Sequence, residues 1–191
     1  MSNEKASIDL QELSDKELIL QFSVKGEKEA AFTRIMERYQ EKLYWHVRRI
    51  VISHDDADDV IQNTFLKVWK NLDRFRQDAE LFTWLFRIAT NEALTLLKKQ
   101  KRNRMLPWSD YENYLEENLE SDEYFSGDTI ARKLQKALIR LPEKQRLVFN
   151  MKYFEEMKYE EMAAILGTSV GALKASYHHA VKKMEKYLLE N

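Results

Sequence analysis

The sequence predicts an all-α chain: two small helical domains joined by a long acidic linker, the second domain a helix-turn-helix. Three observations carry that prediction. Leu, Lys, Glu and Ala dominate the 191 residues, with only 4 Gly and 2 Pro, too few for a turn-rich β architecture. Apolar residues recur at the three-to-four-residue spacing of a buried helix face along most of the chain. Charge is uneven: residues 1–102 carry 18 basic and 17 acidic groups, 103–128 carry 1 and 8, and 129–191 carry 12 and 7. A segment of net −7 therefore separates a block of net +1 from one of net +5.

The first block reads as four helices. Ser14 with Glu17 has capping-box spacing, and the helix it opens should end near Gly26. A second helix starts near Lys28, with Phe32, Ile35, Met36, Tyr39, Leu43, Val47 and Ile50 on one face. Ser53 or Asp55 can cap a third, whose early carboxylates suit the positive end of the helix dipole. Its inward stripe is Ala57, Val60, Ile61, Thr64, Phe65, Val68, Trp69 and Leu72. A loop, Asp73 to Glu80, leads into "ELFTWLFRIATNEALTLLKKQKR". In that helix Leu81, Leu85, Ile88 and Leu96 face inward, with Phe82 and Phe86, while Trp84 suits either a core or a ligand.

Residues 103–128 exceed an ordinary connection and could reach ~85–90 Å if extended. "YENYLEENLESDEYF" could form a helix turn or two, but its charge argues against a core. The last block opens with the amphipathic "TIARKLQKALIRL"; Pro142 suits the first turn of the next helix. Then come a short helix from Tyr159 to Leu166, a turn at Gly167, a cap at Thr168 or Ser169, and a longer helix to the end. Ala163, Ile165, Leu166, Val170 and Leu173 would join the two, the pattern of a helix-turn-helix.

Composition narrows the function classes. Zero Cys removes disulfides and thiolate metal sites and fits a reducing cytoplasm. The N-terminus has no basic-then-apolar signal pattern, and no apolar run approaches the ~20 residues of a membrane span. His54-Asp55 is the dipeptide of all-α metal phosphohydrolases, but the further ligands those enzymes need are not at hand, and no nucleophile elbow or phosphate loop occurs. An enzyme, a metal site and a cofactor are not expected. The aromatics Phe82, Trp84 and Phe86 beside a basic helix end fit a membrane surface, a packed core with a solvated end, or a nucleic-acid strand. The basic end is too short, and the rest too acidic, for a membrane surface.

"DDADDVIQNTFLKVWKNLDRFR", "FTWLFRIATNEALTLLKKQKR" and "LPEKQRLVFNMKYFEEMKYEEMAAILGTSVGALKASYHHAVKKM" resemble, in order, the polymerase-docking helix, the promoter-melting helix and the helix-turn-helix domain of extracytoplasmic-function sigma factors, a branch of the sigma-70 family. The resemblance runs from about Ala31 onward. It implies a cytoplasmic bacterial initiation factor that binds core RNA polymerase, directs it to promoters and melts the minus-ten element. It also implies an anti-sigma partner and a linker that threads the polymerase, with no membrane insertion. The alternative is a helix-turn-helix regulator that does not bind core polymerase.

The resemblance divides the chain into a region 2-like domain (1–102), the linker (103–128) and a region 4-like domain (129–191). It assigns Asp59, Gln62, Asn63 and Leu66 to core polymerase. Lys67, Arg76, Thr83, Trp84 and Asn91 fall to the minus-ten strand, and Lys98, Lys99, Lys101, Arg102 and Arg104 to upstream phosphate. Unpaired bases stack on aromatics while cations track the backbone. Thr168, Ser169, Lys174, Ser176, Tyr177, His178 and Lys182 fall to the minus-thirty-five duplex. Here the chain departs from the family. Where the family commonly carries Thr, then Ser-Arg, then His-Arg-Ala-Arg, this chain has Ala172, then Ala175-Ser176, then His178, His179, Ala180 and Val181, so several Arg donors are gone, and Arg is the commonest reader of guanine. Tyr177 and one His could instead pack on the preceding helix. The acidic linker could also reach back and screen the chain's own basic helices.

Overall fold

A computed structural model describes residues 13–76, 79–104, 108–120 and 129–190, and the side chains of all of these except 103–104, 108–112 and 129. Among them the chain forms nine α-helices and a single 3-10 turn. The first block contains α1 (Asp15–Phe22), α2 (Lys28–Val51), α3 (His54–Asn71) and α4 (Leu81–Arg104). The short α5 (Trp108–Glu120) precedes α6 (Thr129–Ile139), α7 (Glu143–Tyr153), α8 (Tyr159–Leu166) and α9 (Val170–Glu190).

α1 opens with the capping box read from the sequence: Glu17 N–H donates to Ser14 Oγ at 3.3 Å, and Ser14 N–H donates to Glu17 Oε2 at 2.7 Å. It ends at Phe22, four residues before Gly26, which takes φ +91° in the turn that follows. The early stop lets Phe22 turn inward. Its ring meets Trp69 edge-on at 5.3 Å, and Trp69 meets Phe32 at 5.0 Å, geometries that aromatic quadrupoles favour. Asp15 fastens α1 to α2 by accepting from Arg38 Nη1 at 2.6 Å and Tyr39 OH at 2.5 Å.

α2, α3 and α4 form the first block's core. Ser53, rather than Asp55, caps α3, its Oγ accepting from Asp56 N–H. Ala57, Val60, Thr64, Phe65, Val68 and Leu72 are buried, with Ile61 and Trp69 half-buried beside them. On α4 the buried residues run Leu81, Leu85, Phe86, Ala89, Ala93, Leu97; Phe82 is half-buried against Phe86 at 4.3 Å. Leu97, not Leu96, continues the stripe, because four-residue steps from Leu81 arrive there.

Two polar links, one buried and one half-buried, pin these helices. His46 of α2 lies fully buried against the Phe86 ring at 4.9 Å, its Nε2 bonded to Thr90 Oγ1 of α4 at 2.9 Å. Gln100 Nε2 of α4 donates to both oxygens of Asp56 at 2.9 Å. Burial pushes the His46 imidazole down to about 3, with Arg49 adding a smaller push.

The acidic linker is the main correction. Its charge argued against a core, yet α5 buries Leu115 and Leu119 completely. The two lie one helical turn apart, so one face is apolar while the carboxylates occupy the rest. Fully burying a Leu is worth ~1.5–3 kcal/mol, and carboxylates that stay in water cost little. Mean charge hid a short apolar stripe.

The second block folds as read. Pro142 precedes α7, and its carbonyl accepts from Arg146 N–H at 3.0 Å. α8 ends at Gly167 (φ +61°), and Ser169 rather than Thr168 caps α9, accepting from Ala172 N–H at 3.2 Å. The two blocks meet along a seam: α8 lies on α4 and the end of α7 on the end of α2. Met151, Met162, Ile165 and Leu173 share one apolar core with Leu85, Ala93 and Leu97. Arg49 Nη1 bonds Glu155 Oε1 at 2.7 Å, its guanidinium lies 4.4 Å from the Phe154 ring, and Asn150 Nδ2 donates to the Arg49 carbonyl at 3.3 Å. Two non-glycine residues with positive φ flank this contact, buried Ile52 (+68°) and exposed Glu156 (+52°).

Two outcomes follow from these features. His46 must stay neutral in the fold, so the unfolded chain binds the extra proton between its own value of ~6.5 and about 3, and stability falls as pH drops through that window. Urea unfolding at pH 5 against pH 7 should show the wild type losing ~2 kcal/mol that His46→Gln does not lose. Glu156→Gly removes a strained side chain at an exposed site and should raise the urea midpoint by ~0.5–1 kcal/mol of stability; an unchanged or lower midpoint would show that the position is unstrained.

Candidate polymerase and nucleic-acid interfaces

The inner stripe of α3 fixes what its outer side presents. Asp59, Gln62, Asn63 and Leu66 all point to solvent, Leu66 being 55% exposed. Beside Leu66 and Gln62 opens an apolar groove of about 620 Å³, lined also by Phe32, Met36, Gln40, Asp58, Ile61, Phe65 and Trp69. The sequence reading placed Phe32 and Met36 on the core face. Their partial exposure comes from α1 covering only part of the aromatic cluster, which helical periodicity alone does not report. A groove of this shape, with a polar lip and an aromatic floor, suits an amphipathic helix.

One turn further along α3, a second concavity of about 330 Å³ is lined by Lys67, Asn71, Arg74, Phe75, Trp84 and Ile88. The Phe75 and Trp84 rings lie 4.9 Å apart at 34°. Two cations and an aromatic wall in one small pocket suit a base with its phosphate. Lys67 is paired with Glu92 of α4, so the lysine is held across the α3–α4 gap. The structure therefore brings Lys67 and Trp84 together. It adds Asn71, Arg74, Phe75 and Ile88, which the sequence reading did not single out; Arg74 and Phe75 did lie within the loop it named.

The other assigned residues lie outside this pocket. Arg76 and Asn91 are exposed, and Thr83 is 7% exposed. Lys98, Lys99, Lys101 and Arg102 are exposed along the last turns of α4; the Arg104 side chain lies outside the described residues.

In α9, Lys174, His178 and Lys182 are exposed at four-residue steps along one face. Ser169 is exposed, and Thr168 and Ser176 are half-buried. Tyr177 is half-buried and stacks on Phe149 at 5.8 Å. Both His178 and His179 are exposed, so it is Tyr177, not a histidine, that packs on the preceding helices.

His54 bonds the Tyr44 hydroxyl through Nδ1 at 2.6 Å and lies 3.5 Å from Asp58. Among the described residues no three His, Asp or Glu side chains are grouped to hold a metal ion, and no helix is long and apolar enough to cross a membrane.

Comparison with known proteins agrees with this geometry. Residues 35–103 match the family described as Sigma-70 region 2, and residues 131–184 match Sigma-70, region 4. The chain is 32% identical over 180 residues to the ECF RNA polymerase sigma-E factor of Salmonella typhimurium, covering 89% of this chain and 92% of that one. The chain belongs to the extracytoplasmic-function family of sigma factors. It is a transcription initiation factor that binds core RNA polymerase and directs it to promoter DNA.

Two solved structures resemble this sigma factor along most of its length. CnrH, solved in complex with the cytosolic domain of CnrY, is 27% identical with a TM-score of 0.65, covering 93% of this chain and 98% of that one. The sigma factor RpoE from Bartonella quintana, solved in complex with the anti-sigma factor NepR, shares the fold at 24% identity and a TM-score of 0.65, covering 82% and 96%. Against that background the exposed side of α9 stands out, because the sigma factor offers lysines (Lys174, Lys182, Lys183, Lys186) and histidines (His178, His179) there and no arginine.

Proposed function

We propose that this sigma factor divides its work between two neighbouring surfaces of α3. Asp59, Gln62, Asn63 and Leu66, with the groove beside them, receive a helix of core RNA polymerase. The pocket of Lys67, Asn71, Arg74, Phe75 and Trp84 holds an unpaired base of the minus-ten strand. Arg76, Thr83 and Asn91 extend that contact as the strand runs along α4, and Lys98, Lys99, Lys101 and Arg102 meet phosphate upstream. Thr168, Ser169, Lys174, Ser176, Tyr177, His178 and Lys182 face the minus-thirty-five duplex. The observation that carries the reading is that one rigid helix bears both the groove and the pocket, about one turn apart, so docking on polymerase sets the position of the strand-holding aromatics.

Within this reading, residues 1–102 act as the region 2 domain and 129–191 as the region 4 domain, with 103–128 between them. The chain catalyses nothing itself and works in the bacterial cytoplasm, where polymerase and DNA are. The absence of arginine on α9 favours readout through phosphate and duplex shape over guanine contacts. A protein partner of the anti-sigma kind is supported by the two similar sigma factors, each solved with a bound partner. DNA engagement then requires the seam between α8 and α4 to open, since α8 lies against the strand-holding helix.

Gln62→Ala with Leu66→Ala should weaken binding to purified bacterial core polymerase at least ten-fold and leave the melting temperature within a few degrees, because both side chains are exposed. Undiminished binding would reject the docking surface. Trp84→Ala in the holoenzyme should cost a forked promoter with an unpaired minus-ten strand ~1–3 kcal/mol, while binding to a fully duplex minus-thirty-five fragment stays unchanged. Equal losses on both probes would remove the pocket's role.

A further inference from the structure

The seat of α5 shows what a partner could take. α5 rests chiefly on α6. Leu115 and Leu119 are fully buried and share a core with Ile139 of α6. Each leucine is followed directly by a carboxylate clamped to a cation: Glu116 Oε1 lies 3.0 Å from Nε of Arg140, just past the end of α6, and Glu120 Oε1 lies 2.6 Å from Nζ of Lys136 in α6. The two leucines supply the hold; the two partly exposed ion pairs, individually weak in water, set register and direction. The repeat is visible as "LEENLE". The arrangement has the form of an amphipathic helix laid in a groove.

α5 falls between the two stretches that match the sigma-70 family, whereas Lys136, Ile139 and Arg140 lie inside the second. The seat is thus part of the family's own domain, and its occupant is a feature of the intervening segment. The charges are complementary: α5 carries Asp110, Glu112, Glu116, Glu117 and Glu120 and no Lys or Arg, and it rests on a block of net +5. We infer that the face of α6 beneath α5 is a docking site for an acidic amphipathic helix of a partner protein, and that α5 is its resident stand-in. The partner helix carries two leucine-sized residues one turn apart, each followed by a carboxylate. It binds by displacing α5, so its affinity is lowered by the fraction of chain in which α5 is seated. The inference does not depend on the roles given to α3 and α9.

The test uses the full chain and a labelled peptide of residues 108–120 as the partner helix. Hydrogen exchange of residues 108–120 in the wild-type chain should speed up as excess peptide takes the seat. The full-length Leu115→Glu, Leu119→Glu variant, with α5 released, should bind the peptide at least ten-fold more tightly than wild type. Adding Lys136→Glu and Arg140→Glu should reverse that gain. Exchange that ignores peptide at millimolar concentration, together with no gain in the released variant, overturns the inference. So does equal binding of a peptide in which Glu116 and Glu120 are lysines, which would make the carboxylates irrelevant. A released variant that gains affinity for duplex DNA instead of the peptide would assign the two cations to phosphate and also overturn it.

Discussion

Everything the first block offers to a partner depends on how α3 is seated between α2 and α4. Val60, Thr64 and Val68 lock its inner face, and the Thr64 hydroxyl satisfies itself by donating to the Val60 carbonyl at 2.7 Å. At one end Gln100 grips Asp56; toward the other, Phe22, Phe32, Phe65 and Trp69 form an edge-to-face cluster. A helix fixed at both ends cannot rotate about its axis, so its outer residues keep a constant direction. That is the condition the proposed docking and strand-holding surfaces of α3 require.

Much of this was legible because it is local. Ser14 and Glu17, Gly167 and Ser169, and the spacing of the α3 stripe each declare themselves within one or two helical turns. The exposed face of α3 was legible for the same reason: an apolar Leu66 among Asp59, Gln62 and Asn63 needs only helical periodicity to be noticed. The pocket around Trp84 was half legible. Its floor is assembled from the end of α3, the 3-10 turn and the start of α4, and nothing short-range in the sequence says that Asn71 and Phe75 meet Trp84. His46 looked like any position on α2 until Thr90 arrived from 44 residues away. The linker failed differently. Charge was averaged over 26 residues, whereas folding responded to two leucines on one face.

The seam between the blocks is the least local feature. Arg49 and Glu155 lie 106 residues apart in sequence. Burial raises the Glu155 carboxyl despite the guanidinium beside it, so desolvation there outweighs attraction. Such a pair contributes little net stability compared with apolar packing of the same volume, but it penalises any arrangement that separates one partner into a dry site. It specifies this one way of joining the blocks, while Met162 and Ile165 supply the adhesion.

α5 also has a metric consequence. Wound as a helix, its 13 residues span ~20 Å at ~1.5 Å per residue; drawn out, the same residues span ~45 Å. The difference of ~25 Å corresponds to about seven base pairs of duplex at ~3.4 Å each. Whether α5 is wound or unwound therefore sets the length of the tether between two DNA-reading surfaces. A wound α5 shortens the spacer the molecule can bridge, and an unwound one lowers the local concentration of the second surface near the first.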